Sequence, residues 1–203
     1  MNILLVILFS YLCGSIPFGL FLTKIFQKVD IRKIGSGNIG ATNVLRTGNK
    51  FLAVVTLLLD ISKGYIPVII TSQNYPDLIQ LSCLFAFLGH LFPIWLKFNG
   101  GKGVATYLGI LFALSIQLSL LFIFTWLIVA LIFKYSSLSS MFSSLTVFVV
   151  CFVKDTALKS INTNINLDDD IKLTLFTFFI LIIFTHRKNI SNLKNKTEKK
   201  IKI

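Results

Sequence analysis

Long apolar runs with almost no charge dominate this sequence, and they restrict the chain to one class of fold. The runs cover 1–23, 51–74, 78–96, 103–133, 138–153 and 171–185. A helix needs about 20 such residues to cross a bilayer. The chain has 203 residues, of which 55% are hydrophobic and 14% are charged, against about 25% charged in a soluble domain. Because the runs do not alternate as barrel strands do, the sequence predicts an all-α, polytopic membrane protein.

The positions of the charges predict how these helices are oriented. The segment 24–50 holds six basic residues and one acidic residue, and the tail after His186 holds seven and one. Loops rich in Lys and Arg stay on the cytoplasmic side, so an even number of spans must separate the two. We therefore expect 103–133 to form two short helices that break near 115–117. This gives seven transmembrane helices, with the N-terminus outside and the C-terminus cytoplasmic.

The same topology places almost all of the net charge on one side of the membrane. The predicted inside stretches carry 16 basic and two acidic residues, and the outside stretches carry three basic and five acidic residues. No internal repeat indicates an inverted-repeat transporter. We expect one membrane-integral domain over 1–203, an uncleaved first span and a polar outer loop at 156–170. The three cysteines lack ligand spacing and are expected to be free thiols.

Four polar segments are expected to face the cytoplasm together. They are 35–46, 99–106, 135–140 and 186–198. In the first, Gly35, Gly37 and Gly40 match G-x-G-x-x-G, and Asp60 lies 20 residues beyond, as in dinucleotide-binding folds. That fold needs a buried strand before the match. Because a charged stretch precedes the match and Asp60 lies in an apolar run, the dinucleotide interpretation is excluded.

Two of these segments have the residue types that bind anions. Arg46 can grip a phosphate bidentately or serve only as a topology charge, and Ser36 and Thr42 offer hydroxyls or form turns. In the segment 100–103, glycines allow backbone N–H groups to approach an anion, and a following helix N-terminus adds its dipole. We expect Lys102 to supply a point charge there; a plain helix–helix turn is the alternative.

The fourth segment and one apolar run contain the two histidines. His186 lies at the inner end of the last run, and Asn189 shares its side of a helix; an interfacial residue without chemistry is the alternative for His186. His90 lies inside an apolar run and is expected to form a hydrogen bond within the bundle. Glu198 is either a solvated charge or a brace for the basic loops.

Two further features have competing interpretations. Asp60 and Lys63 lie inside an apolar run, where a charge costs about 2.5–3.5 kcal/mol. Their spacing predicts a neutralising structural pair, with a functional role as the alternative. The serine-rich stretch 136–140 either binds a ligand or caps the next helix.

These segments resemble the bacterial membrane-integral acyltransferases that acylate glycerol 3-phosphate from acyl-phosphate. The resemblance is carried by GSGNIGATNVLRTG (35–48), LLLDISKG (57–64), LGHLFPIWLKFNGGKGVAT (88–106), YSSLSS (135–140) and HRKNI (186–190) with Thr197-Glu198. It implies seven spans and a cytoplasmic-face active site in the bacterial inner membrane. It also implies transfer of a fatty acyl group to the 1-hydroxyl of sn-glycerol 3-phosphate. The products would be 1-acylglycerol 3-phosphate (lysophosphatidic acid) and phosphate, as in the first acylation of phospholipid biosynthesis.

The resemblance also implies roles for individual residues. Catalytic roles are expected for Ser36, Arg46, His186 and Asn189. Substrate binding is expected for Gly37, Asn38, Thr42, Asn43, Gly100, Gly101, Lys102, Gly103, Ser137 and Ser140. Structural roles are expected for Asp60, Lys63 and Glu198. The tail departs from the family pattern, since Lys196 stands where glycine is usual and Asn192 where a basic residue is common.

The expected partners are small molecules and lipids. They are glycerol 3-phosphate, long-chain acyl-phosphate and membrane lipids, with the acyl-phosphate-producing enzyme as an open candidate; no nucleic acid, cofactor or metal is expected. Transfer from an acyl phosphate needs no covalent nucleophile. The proton of the glycerol 3-phosphate hydroxyl would pass to His186 or to the substrate's own phosphate. A transporter for phosphorylated metabolites is the alternative, but the polar groups crowd one face and the outer loops are acidic.

Overall fold

Every regular element of the computed structural model, which describes residues 1–157 and 169–201, is helical. These residues fall into two units, Met1–Leu114 and Ser115–Ile203. The first unit contains α1 (Asn2–Ser15), α2 (Phe18–Gln27), α3 (Ala41–Leu45), α4 (Lys50–Asn74), α5 (Ile79–Leu91) and α6 (Val104–Leu114). The second contains α7 (Ile116–Phe133), α8 (Ser136–Ala157), α9 (Asp169–Thr185) and α10 (Arg187–Lys194). The all-α prediction is confirmed for the described residues.

Five segments within the described residues are long and apolar enough to cross a membrane. They are Asn2–Gln27, Lys50–Asn74, Pro76–Leu96, Ile116–Phe133 and Ser136–Val153. Helix α6 is apolar but shorter, with 11 residues. The segments confirm a multi-pass membrane protein. The expected outer loop at 156–170 falls mainly on 158–168, outside the described residues.

The helix break expected in 103–133 is present at Ser115. This residue has an extended backbone (φ −163°, ψ 122°), and its hydroxyl oxygen accepts a hydrogen bond from the Leu118 N–H at 3.4 Å. A serine in this position satisfies one of the donors left over at a helix start. The break therefore has a local cause, which is the N-cap of α7.

Prolines interrupt two of the predicted runs. The run 1–23 is divided at Ile16, which is extended because Pro17 follows it, and helical structure then continues to Gln27. The residue before a proline is pushed away from the helical region. Helix α5 ends at Leu91, two residues before Pro93, so the predicted run to residue 96 finishes in a short 3₁₀ turn, Ile94–Leu96.

Glycines allow the helices of the first unit to approach closely. A Cβ on Gly14 or Gly89 would strike the backbone of the facing helix in the α1–α5 pair, and one on Gly64 or Gly109 would do so in the α4–α6 pair. Small residues at such contacts are typical of membrane helices, which pack without a hydrophobic driving force between them. The α4–α6 pair positions the segment 99–103 at the start of α6.

Polar and aromatic contacts hold the second unit together. Trp126 Nε1 on α7 donates to Ser140 Oγ on α8 at 3.2 Å, and the Phe148 ring lies 5.0 Å from Phe176 and 5.9 Å from Phe179 between ring centroids. The tail returns to the α7–α8 turn, where Ile201 N–H donates to the Lys134 carbonyl at 2.8 Å. The three cysteines are free thiols, as expected.

Candidate active site

An apolar cluster anchors the first polar segment to α2 and α4. Its members are Leu20, Ile31, Ile39, Val44, Leu52 and Ala53. Ile31 belongs to a short turn that Asp30 caps by accepting from the Arg32 N–H at 3.0 Å. The hydrogen bond from the Arg32 guanidinium holds the pKa of Asp30 well below its usual range. Burial of these apolar side chains fixes the backbone conformation of the polar, glycine-rich segment.

Asn43 organises the interior of this segment. Its amide nitrogen donates to the carbonyls of Ile31, Ile34 and Asn38 at 2.8–3.1 Å, and its Oδ1 accepts from the Ser36 N–H at 3.0 Å. The side chain is 2% exposed. A primary amide has two N–H groups, so the nitrogen has no donor left for a ligand. Asn43 therefore holds the segment together, and its binding to substrate stays a prediction.

The predicted catalytic residues Ser36 and Arg46 lie on this same frame. Gly35 has φ +60°, and a side chain there would strike Asn43 Oδ1 and Arg46 Cδ. Arg46 lies at the end of α3 and is partly buried. Its side chain passes so close to Gly35 that only a glycine fits there. The next residue, Ser36, is exposed.

The substrate-binding candidates of this segment differ in accessibility. Gly37 and Thr42 are exposed, and Gly37 has φ +73°. Asn38 Oδ1 accepts from the Gly40 N–H at 2.9 Å, so it shapes the entry into α3. One small segment thus contains Gly37, Thr42 and Arg46. Asn43 holds the backbone of this segment, and Gly37 and Thr42 are exposed to solvent.

The glycine segment 99–103 differs from the prediction. The Gly100 N–H donates to the Leu91 carbonyl at 3.0 Å and the Gly101 N–H donates to the His90 carbonyl at 3.1 Å. These two N–H groups therefore close the end of α5, and substrate binding by Gly100 and Gly101 stays a prediction. The start of α6 still supplies unpaired helix N–H groups, and Lys102 and Gly103 immediately precede it.

Beneath this segment lies the predicted ion pair. Lys63 Nζ is 2.8 Å from Asp60 Oδ1, and both side chains are nearly fully buried. Lys63 Nζ also donates to the Ile16 carbonyl at 2.8 Å, where α1 ends before Pro17. The pair expected from the spacing is present, and its second bond ties α4 to the α1–α2 junction.

His90 lies next to this pair. Its Nδ1 is 3.9 Å from Asp60 Oδ1 and has no hydrogen-bond partner among the described residues. The expectation of a hydrogen bond within the bundle is therefore wrong for Nδ1, because 3.9 Å is too long for a hydrogen bond to Asp60.

The second unit places the other predicted catalytic residues at the start of α10. His186 is 2% exposed and Asn189 is 9% exposed. His186 Nδ1 lies 2.8 Å from the Ile182 carbonyl, and a carbonyl oxygen only accepts. Nδ1 therefore carries a hydrogen, and in the neutral imidazole the lone pair is on Nε2.

Glu198 links three side chains of the second unit. Its carboxylate accepts from Asn189 Nδ2 at 2.6 Å, from Ser137 Oγ at 2.9 Å and from Asn192 Nδ2 at 3.2 Å. The structure thus shows a brace, as the second interpretation held, and not a solvated charge. Ser140 donates to the Ser136 carbonyl at 2.8 Å and accepts from Trp126, so it joins α7 to α8; its substrate role stays a prediction.

Comparison with known proteins covers the whole chain. The family model described as glycerol-3-phosphate acyltransferase matches residues 4–196. A glycerol-3-phosphate acyltransferase of Pelagibacter ubique is 56% identical over 203 residues, all of both chains. The chain belongs to the glycerol-3-phosphate acyltransferase family. Another family member, from Mesorhizobium japonicum, is 47% identical over 98% of this chain and 96% of its own.

Solved structures agree with the family assignment. The crystal structure of PlsY (YgiH), an integral membrane glycerol 3-phosphate acyltransferase, matches in its glycerol 3-phosphate form with a TM-score of 0.89 and 34% identity, covering 100% of this chain and 96% of that one. Its lysophosphatidic acid form matches with a TM-score of 0.86. At this identity and coverage, the fold of this acyltransferase family member is that of PlsY.

Sequence reasoning missed two features of this acyltransferase. The packing of the His90 ring against Gly101 had a weak signal, namely a histidine ten residues before a glycine-rich segment. For the Asn192–Glu198 bond, the sequence made Glu198 a candidate brace but carried no signal that Asn192 is one of its partners. No group of three His, Cys, Asp or Glu side chains within 1–157 and 169–201 is arranged to hold a metal ion.

Proposed function

We propose that this protein transfers a fatty acyl group from acyl-phosphate to the 1-hydroxyl of sn-glycerol 3-phosphate, giving lysophosphatidic acid and phosphate. The observation that carries the proposal is the full-length match to PlsY in its glycerol 3-phosphate and lysophosphatidic acid forms. Acyl-phosphate is the donor that the resemblance of the polar segments implies. Membership of an acyltransferase family favours this reaction over transport of phosphorylated metabolites.

The chemistry required is modest, because an acyl phosphate is a mixed anhydride with a good leaving group. The protein must position the alcohol, accept its proton and stabilise the developing oxyanion. Arg46 and Lys102 supply positive charge for phosphate, and the exposed Ser36 hydroxyl offers a further hydrogen bond. His186 Nε2 is the proton acceptor in this proposal, with the substrate's own phosphate as the alternative, and Asn189 is oriented by Glu198.

The proposed setting is the bacterial inner membrane. Seven spans, an outside N-terminus, a cytoplasmic C-terminus and a cytoplasmic-face active site are supported by the basic residues of 24–50 and 186–203 and by the break at Ser115. The family match from residue 4 to residue 196 supports a single enzyme domain over 1–203. Lysophosphatidic acid formed there would enter phospholipid biosynthesis.

Phosphate release tests the reaction directly. The purified protein in a bilayer mimetic receives a long-chain acyl-phosphate with and without glycerol 3-phosphate. We expect phosphate and lysophosphatidic acid to appear only with the acceptor, and Arg46→Ala to lower kcat/KM by about 100-fold. Lys33→Ala, which removes an exposed cation from the neighbouring turn, should stay near wild type. A folded protein that releases no phosphate at any chain length would contradict the proposal.

The role of His186 has its own test. If Nε2 accepts the hydroxyl proton, His186→Gln should lower kcat by about 100- to 10,000-fold while the protein stays folded. Because Gln retains a donor near the Ile182 carbonyl, the variant separates proton transfer from local structure. Full turnover at saturating substrate would transfer the role to the phosphate of the acceptor.

A further inference from the structure

His90 lies at the end of α5, directly beneath the glycine segment 99–103, and the proposed reaction uses it in no step. Its side chain is 4% exposed. Its carbonyl accepts from the Gly101 N–H at 3.1 Å, and a Cβ on Gly101 would strike the imidazole at Nε2, Cε1 and Cδ2. The backbone before Lys102 therefore lies against the Nε2 edge of the imidazole.

The three glycines of the segment meet different neighbours. A Cβ on Gly100 would strike the backbone carbonyls of His90 and Leu91, which are present whatever side chains those positions carry. A Cβ on Gly103 would strike the Phe87 ring, and Gly103 has φ +83°. Only at Gly101 is the obstacle the imidazole itself. This difference makes the contact between Gly101 and His90 separable by mutation.

The charges beside the ring explain why the ring is an imidazole. Asp60 Oδ1 lies 3.9 Å from His90 Nδ1 and 2.8 Å from Lys63 Nζ. In a buried, low-dielectric setting a charge at this distance orients a neighbouring dipole strongly. A ring of the same size without a nitrogen would fill the space, but the charge of Asp60 would not orient it.

We propose that His90 is a positioning residue for glycerol 3-phosphate: its ring, held beside the Asp60–Lys63 pair, supports Gly101 and so sets the position of Lys102. The inference rests on the proposed function, in which Lys102 supplies positive charge for phosphate. Removal of the ring should therefore weaken binding of glycerol 3-phosphate and leave turnover and use of the acyl donor almost unchanged.

A double-mutant cycle tests the contact. We expect Gly101→Ala to raise the KM for glycerol 3-phosphate about tenfold and His90→Ala to raise it about threefold, with kcat and the KM for acyl-phosphate nearly constant. Because His90→Ala removes the obstacle, the double variant should have the KM of His90→Ala alone. The matched control is Gly100→Ala, which strikes main-chain carbonyls, so adding His90→Ala to it should restore nothing.

A second measurement does not depend on activity. Hydrogen exchange of the Gly100 and Gly101 amides, which donate to the end of α5, should accelerate about tenfold in His90→Asn. This variant removes the ring but keeps an amide beside Asp60, and it replaces His90→Ala in the cycle if that variant unfolds. Accelerated exchange in a protein that lacks acyl transfer would overturn the proposed function and support the positioning role.

Three results would overturn the inference. One is additive KM effects in the Gly101–His90 cycle together with unchanged amide exchange. Another is a fall in kcat for His90→Ala with no change in KM, which would make His90 part of the chemistry. A change confined to the KM for acyl-phosphate would overturn the assignment to glycerol 3-phosphate and would move Lys102 to the donor.

Discussion

Single residues decide how the polar segments of this acyltransferase keep their shape. Asn43 is the strongest case, because one side chain satisfies three carbonyls and one N–H of the segment that carries Ser36 and Arg46. A buried polar group left without its partner costs about 1–3 kcal/mol. Loss of this amide would therefore loosen the path of the whole segment.

The four hydrogen bonds of the Asn43 side chain predict the effect of removing it. Asn43→Ala should lower the free energy of unfolding by about 2–4 kcal/mol and lower activity with it, because it leaves buried carbonyls unpaired. Asn38→Ala is the matched control, since its side chain makes one bond, to the Gly40 N–H, and should cost about 1 kcal/mol. Thermal unfolding in detergent measures both. An Asn43→Ala protein with wild-type stability but a raised KM would reinstate Asn43 as a substrate ligand.

Glycines decide how closely two helices of the first unit approach each other. The α4–α6 pair is close because Gly64 faces the Thr106 carbonyl and Gly109 faces the Ile61 carbonyl. A methyl group at either glycine must push one helix away from the other. We expect Gly109→Ala to destabilise the protein by about 1–3 kcal/mol, measured by thermal unfolding. Gly40→Ala, with 3.4 Å to its nearest neighbour and an ordinary φ, should cost less, about 0.5 kcal/mol, because alanine is a weaker N-cap for α3 than glycine.

The N-cap of α7 also contributes to stability. Ser115 Oγ accepts from the Leu118 N–H, so Ser115→Ala should destabilise the protein by about 1 kcal/mol through loss of the N-cap. Ser115→Asp is the matched variant, because aspartate also caps helices. Equal unfolding temperatures for all three proteins would mean that water caps α7 as well as the serine does.

Topology is a property of the whole molecule. The proposed seven spans place residues 115–117 outside and the tail inside. In a background with alanine at all three native cysteines, Gln117→Cys should react with an impermeant thiol reagent added to the outer side, whereas Lys194→Cys should react only after the membrane is opened. Unreactive Gln117→Cys in the folded protein would contradict the two-span interpretation of 103–133.

Much of this protein could be predicted because the determining forces are local or one-dimensional. Apolar runs and the serine at 115 specify helices and a break through bilayer thickness and capping. The Asp60–Lys63 pair follows from one helical turn. The resemblance of the polar segments to one family carried the activity, which no composition argument could supply.

Tertiary structure decided which polar atoms remain available for ligands. Sequence alone made Asn43, Gly100 and Gly101 binding candidates, but their N–H groups donate to backbone carbonyls that folding brings near. The same holds for His90, whose neighbours Asp60 and Gly101 come from other parts of the chain. A hydrogen bond satisfies a group only where both partners meet, and for residues far apart in sequence that meeting is set by helix packing rather than by residue type.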